Sequence, residues 1–129
     1  MNDNKENNPI YLWRVELPIK TVSEANCSEH WTKKSKRHRQ QQLLLKIAFI
    51  NDNPKITLPC TIKFTRLAPR SLDKHENLPM SFKYLVDMMA VLIFPGTKLG
   101  QKDNDPRITW QYDQKPSLQY GIIVEITQP

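Results

Sequence analysis

Leu72-Asp73-Lys74-His75-Glu76-Asn77-Leu78-Pro79-Met80-Ser81-Phe82-Lys83-Tyr84-Leu85-Val86-Asp87-Met88-Met89-Ala90 is the stretch around which the chain is organised. It opens with two acids around a basic pair and becomes an apolar helix that carries one lysine and one aspartate, so a charged loop is held against a buried element. Asn77 reads as the helix N-cap and Pro79 falls in the first turn, where its missing N–H costs nothing. Asp73 and Glu76 then lie just before the positive end of the helix dipole, which favours their ionised form. The helix is expected from Leu78 to about Phe94, with Phe82, Leu85, Met89 and Leu92 on its core face. Pro95-Gly96 stops it.

Upstream, Ile10 to Ile19 alternates: Tyr11, Trp13, Val15 and Leu17 fall on one side, and Arg14 and Glu16 on the other. This is the period of a half-buried strand, ended or placed at a sheet edge by Pro18. Residues 1 to 9 offer no apolar surface and read as a disordered tail. A loop through Asn26 and Ser28 leads to a helix beginning near Ser28 or Thr32 and running to about Ile50, where Asn51-Asp52-Asn53-Pro54 turns the chain. A second strand spans Ile56 to Leu67, with Cys60, Ile62 and Phe64 facing one way and Thr61, Lys63 and Thr65 the other. Downstream of the organising helix, Arg107 to Asp113 and Tyr120 to Ile126 alternate in the same manner. They read as neighbouring strands joined by a hairpin connection through residues 114 to 119. The order strand, helix, strand, helix, strand, strand predicts a single α/β (α+β) domain over residues 10–129, a mixed sheet of about four strands with two helices packed on it.

At 129 residues the chain is long enough for one domain with one modest core. Its formal charge of +6 and pI near 9.4 favour an anionic partner, most often nucleic acid for a small basic protein. The two cysteines, Cys27 and Cys60, fit no metal spacing and are too few for a disulfide framework, which suits a reducing compartment. No apolar run reaches the ~20 residues that cross a bilayer. The expectation is a cytoplasmic protein with no membrane association.

Two sets of residues carry candidate chemistry. The basic run Lys33-Lys34-Ser35-Lys36-Arg37-His38-Arg39 opens the first long helix. Cations at the positive end of a helix dipole are locally unfavourable, which points to Lys33, Lys34, Lys36, Arg37 and Arg39 as phosphate contacts rather than a merely solvated face. Trp31 beside them either stacks on a base or anchors the helix start in the core. Arg66 and Arg70 flank the acidic loop and either hold phosphate or solvate a sheet edge. The second set is acidic: Asp73 and Glu76 after the second strand, Asp103 and Asp105 before the third. If those strands are neighbours, the loops are expected to meet and to present three or four hard oxygen ligands suited to Mg2+ or Mn2+. A divalent ion there would serve phosphodiester hydrolysis, although the same residues also serve as ordinary turn and cap residues. Asp87, eleven residues past Glu76, would lie ~16 Å along a continuous helix and cannot share one metal with it. Lys83 and Asp87, four apart, form a helical pair, or Lys83 reaches a phosphate. His75 is a second candidate ligand or base in the acidic loop.

In Asp73-Lys74-His75-Glu76-Asn77-Leu78, in Lys83 with Asp87, and in Asp103-Asn104-Asp105-Pro106-Arg107-Ile108, the chain resembles the RusA-type Holliday-junction resolvase family over roughly Tyr11 to Ile126. The resemblance implies a small homodimeric, magnesium-dependent endonuclease of recombination and repair, which resolves branched DNA with aspartates from two loops. Carried over, it implies Asp73, Glu76 and Asp105 as metal ligands and catalytic carboxylates, Asp103 as an alternate ligand, and Lys83 as the catalytic or phosphate-contacting lysine. The acids of the first motif stand one residue further apart here than in the family, and Glu76 replaces the usual aspartate. This variant pattern looks like a phage or prophage branch. The alternative is a non-catalytic nucleic-acid-binding protein of the same fold.

Overall fold

The computed structural model describes residues 10–24 and 30–129. The expected tail over residues 1–9, the loop at Asn26 and Cys27, and a helix start near Ser28 lie outside these. The elements are β1 (Ile10–Leu17), α1 (Trp31–Asp52), β2 (Cys60–Ala68), α2 (Asn77–Ser81), α3 (Lys83–Ile93), β3 (Ile108–Pro116) and β4 (Gly121–Gln128). They build the expected α+β domain: one four-stranded mixed sheet carrying the helices. Among the described residues no helix is long and apolar enough to cross a membrane.

Strand order is β1-β4-β2-β3. β4 runs antiparallel to both β1 and β2, whereas β2 and β3 are parallel, in register from Cys60 opposite Ile108 to Ala68 opposite Pro116. The expected hairpin between the last two strands is therefore not formed. Burial explains the difference. Ile122, Ile123, Val124 and Ile126 are all buried, so β4 needs cover on both faces and takes a central place. Alternation at Ile122, Val124 and Ile126 accounts for only one of those faces. β3 has exposed polar positions at Thr109 and Gln111 and tolerates the edge. Between them, the Ser117 amide donates to the Ala68 carbonyl (3.0 Å) as the connection passes the end of β2.

β1 stops before Pro18 at the other edge, as its sequence requires. A bulge between Tyr11 and Trp13 turns Tyr11 outward, while Trp13 stays buried, edge-on to Phe49 of α1 at 5.2 Å, with its indole N–H donating to Asp52 (2.8 Å).

The organising helix is broken into α2 and α3 at Phe82, whose backbone (φ −102°, ψ 2°) leaves the helical region. The break lets Phe82 lie fully buried between the rings of Phe64 (5.3 Å) and Tyr112 (5.7 Å). Leu85, Val86, Met89 and Ala90 complete the buried face of α3. Asn77 is not the N-cap. The cap position is Glu76, whose side chain makes no capping bond, and the amides of Glu76 and Asn77 are instead served by Asp73, three and four residues back. At α1 the cap is His30, whose imidazole accepts from the Thr32 amide (3.3 Å).

Candidate functional site

The Asp73 carboxylate accepts from the amides of Glu76 (2.9 Å) and Asn77 (3.3 Å), and from the Asn77 side-chain amide. These bonds hold its pKa below the ordinary value. Asn77 in turn accepts from the Ser23 hydroxyl (2.7 Å), tying the acidic loop to the segment after β1. Leu72, just ahead of this loop, is clasped by Gln114 of β3, whose side chain both accepts from its amide (2.8 Å) and donates to its carbonyl (2.7 Å). Asp73 and Glu76 therefore stand at the C-terminal end of the parallel pair.

Asp103 and Asp105 stand at the opposite end. Asp105 accepts from the Arg107 amide and, through both carboxylate oxygens, from the Arg107 guanidinium, each at 3.0 Å, which lowers its pKa to about 2. The Arg107 carbonyl pairs with the Cys60 amide (3.0 Å) at the first rung of β2 and β3. Six residues of extended β3 separate Ile108 from Gln114, a span of about 20 Å. The strands are neighbours, which meets the condition set by the sequence, but because they run parallel the end of β2 and the start of β3 face opposite ways. Asp73 and Glu76 do not meet Asp103 and Asp105 within one chain. Among the described residues no three His, Cys, Asp or Glu side chains converge on a metal-sized site.

The residue that joins Asp103 is Asp87. As α3 returns along the sheet, it brings Asp87 beside the loop that precedes β3. Partial burial and the neighbouring Asp103 raise the Asp87 pKa, against the opposing field of Lys83 one turn earlier. Burial and Asp103 likewise raise the Tyr112 phenol. Asp103 is anchored through its main chain, its carbonyl accepting from the Trp110 indole (2.8 Å). Trp110 and Tyr112 belong to an aromatic layer with Phe64 and Phe82, in which Phe64 and Trp110 stack at 6.1 Å. Asp87, Lys83 and Tyr112 thus lie within electrostatic reach of one another or of Asp103, alongside the aromatic layer. The i, i+4 spacing of Lys83 and Asp87 was the available signal for this group. What the spacing did not carry was the return of α3 toward residue 103.

The basic residues divide. Lys33, Lys36 and Arg39 are exposed on α1 and Lys34 is half-buried. Arg37 turns inward, its guanidinium bonded to both oxygens of the buried Glu24 (2.8 and 3.4 Å), and His38 bonds the same carboxylate (3.1 Å) while stacking on Tyr84 at 3.5 Å. Arg37 thus stands as a structural cation where a phosphate contact was expected; its partner Glu24 lies outside the helix and carries no periodic signal. The His38 stack, with Gln42 donating to the Tyr84 carbonyl (3.1 Å), fixes the basic half of α1 against the start of α3, next to exposed Lys83. Trp31 is 69% exposed, so it is no core anchor. Arg70 is exposed, whereas Arg66 is 5% exposed and points into the fold. His75 is exposed in the Asp73 loop.

No protein-family model matches this chain, and no curated protein sequence matches it at significant similarity.

Proposed function

We propose that the protein is a magnesium-dependent, structure-selective endodeoxyribonuclease that resolves Holliday or other branched DNA junctions, as the RusA resemblance implies. The observation that carries the reading is that Asp87, partly buried on α3, lies within the fields of both Asp103 and Lys83. Asp87 is partly desolvated and feels the negative charge of Asp103, and a cation near both relieves that cost. Mg2+ is commonly held by one or two carboxylates, with water and phosphate oxygens completing its shell, so Asp87 and Asp103 fit it as a donor set. When bound, the ion would polarise the scissile phosphate and lower the pKa of a water. Lys83 supplies a positive charge for the phosphate backbone, and Tyr112, with its pKa raised, keeps its proton at neutral pH. Lys33, Lys34, Lys36 and Arg39 extend the positive surface along α1, and exposed Trp31 offers a ring for stacking. A symmetric homodimer would present two such sites, one for each of two strands.

Cleavage of a labelled four-way junction tests this. The native protein should nick it only with Mg2+ or Mn2+, and Asp87→Asn and Asp103→Asn should each lose at least a hundredfold in rate. Asp105→Asn, whose carboxylate is occupied by Arg107, should lose far less. A second reading, binding without catalysis, is favoured by one observation: Asp73 and Asp105 are each engaged in local hydrogen bonds at opposite ends of the sheet. Tight junction binding with no cleavage in either metal would replace the first reading by the second.

A further inference from the structure

Arg66 is a buried cation with no carboxylate paired to it among the described residues. Two residues beyond Phe64 on β2, it faces the helix side of the sheet. Its Nε donates to the Thr21 hydroxyl (3.1 Å), Nη2 to the Thr21 carbonyl (3.4 Å) and Nη1 to the Arg70 carbonyl (2.6 Å). All three acceptors are neutral, and among the described residues no carboxylate pairs with it. Burial pulls its pKa below the ordinary guanidinium value. A guanidinium has five N–H donors, so some of them remain for another acceptor. An uncompensated buried charge is costly, and sites that tolerate one commonly meet an ion of opposite sign.

The surroundings supply a place for that ion. Arg66 lines a cleft of about 280 Å3 at the C-terminal end of β2 and β3, together with Arg70, Ser71, Gln114 and Lys115. Among the described residues no carboxylate lines it. The nearest acid along β3, Asp113, is engaged by Lys63 at 3.5 Å. Above the Arg66 guanidinium, the Tyr120 ring also carries the Lys20 ammonium at 4.7 Å, which adds a further positive charge nearby. Gln114 is committed to Leu72, so the polar side chains left to a ligand are those of exposed Arg70 and Lys115, Ser71 and buried Arg66. Planar, multidentate donors of this kind match a tetrahedral oxyanion.

We infer that this cleft is a phosphoryl-binding pocket in which Arg66 and Arg70 grip the oxyanion and Lys115 completes the charge balance. It lies at the opposite end of the parallel strands from Asp103 and does not depend on the nuclease reading. The phosphoryl group belongs either to free phosphate or a strand terminus, or to the interior of a DNA backbone.

The test follows the Arg66 Nε–H signal in 15N-labelled protein during titration with inorganic phosphate, ionic strength being held with chloride. A saturable shift is expected, with affinity at least tenfold weaker in Arg70→Gln, a variant that keeps the main-chain carbonyl bonded to Arg66. The same titration with a short oligonucleotide, with and without a 5′-phosphate, separates the sources. Tighter binding of the phosphorylated strand assigns the pocket to terminal phosphate; equal binding of both, weakened in Arg70→Gln, assigns it to the backbone. A phosphate response that does not saturate, or is unchanged in Arg70→Gln, overturns the inference.

Discussion

Asp87 and Asp105 carry pKa shifts of opposite sign, and the difference has consequences for stability. Asp87 keeps its proton to higher pH in the folded protein than its ordinary 3.8, so ionising it costs the folded state. That cost is absent below about pH 4, where both folded and unfolded forms are protonated, and is full above the raised value. Asp87→Asn should therefore raise the urea midpoint at pH 7, with the gain fading as pH falls toward 4. Asp105 behaves in the reverse sense. With its carboxyl at about 2, its stabilising contribution is complete above the ordinary 3.8 and lost as pH falls toward 2. Asp105→Asn should lower the midpoint at pH 7 and converge with the native protein in strong acid. Urea titrations of the three proteins between pH 2 and 8 check both; a lower midpoint for Asp87→Asn at pH 7 would contradict the crowding of Asp87 by Asp103. The acids were visible in the sequence as chemistry, but not as geometry. Asp73 and Asp105 read as ligands because residue type says nothing of which local amides and guanidinium will occupy them.

At the scale of elements, the aromatic layer is what sets the site. Phe82 is fully buried between Phe64 and Tyr112, and Tyr112 lies within the field of Asp103. Removing the Phe82 ring leaves a void in a close-packed core, so Phe82→Ala should cost about 3–5 kcal/mol in denaturant unfolding. A loss below 1 kcal/mol would mean that the layer does not hold α3 in place. Periodicity made the apolar face of this helix legible, since Phe82, Leu85 and Met89 are buried as their spacing predicts. It did not show the break at Phe82, because a three- or four-residue spacing survives a single non-helical residue. The first strand was legible down to its edge position, since Pro18 announces both. The hairpin was misread for the reason that β4 is apolar at successive positions, a signal of double-sided burial that competes with the short connection before it.

For the molecule as a whole, charge is the property that sequence reports most directly and folding redistributes. Arg37 is withdrawn into the fold against Glu24, and Lys33, Lys34, Lys36 and Arg39 remain on α1 to meet an anion. If those four replace counter-ions on DNA, the logarithm of affinity should fall with the logarithm of salt concentration at a slope of about −3 to −4. Lys33→Gln with Lys36→Gln should flatten the slope by about 2, whereas Arg37→Gln should act on stability instead. Fluorescence anisotropy across a salt series measures the first effect, and thermal unfolding the second. Topology was beyond the sequence for a related reason: pattern shows which segments are strands, but their neighbours and direction depend on where α2 and α3 send the chain.

The placing of β4 between β1 and β2 also sets the sequence of events during synthesis on the ribosome. β2 and β3 can pair once β3 has emerged, while the other edge of β2 still lacks its partner. β1, although made first, has no strand to pair with until residues 121–128 are out. Until then the nascent chain holds an open slot beside β2 and a waiting strand near its beginning, and the last strand closes both at once.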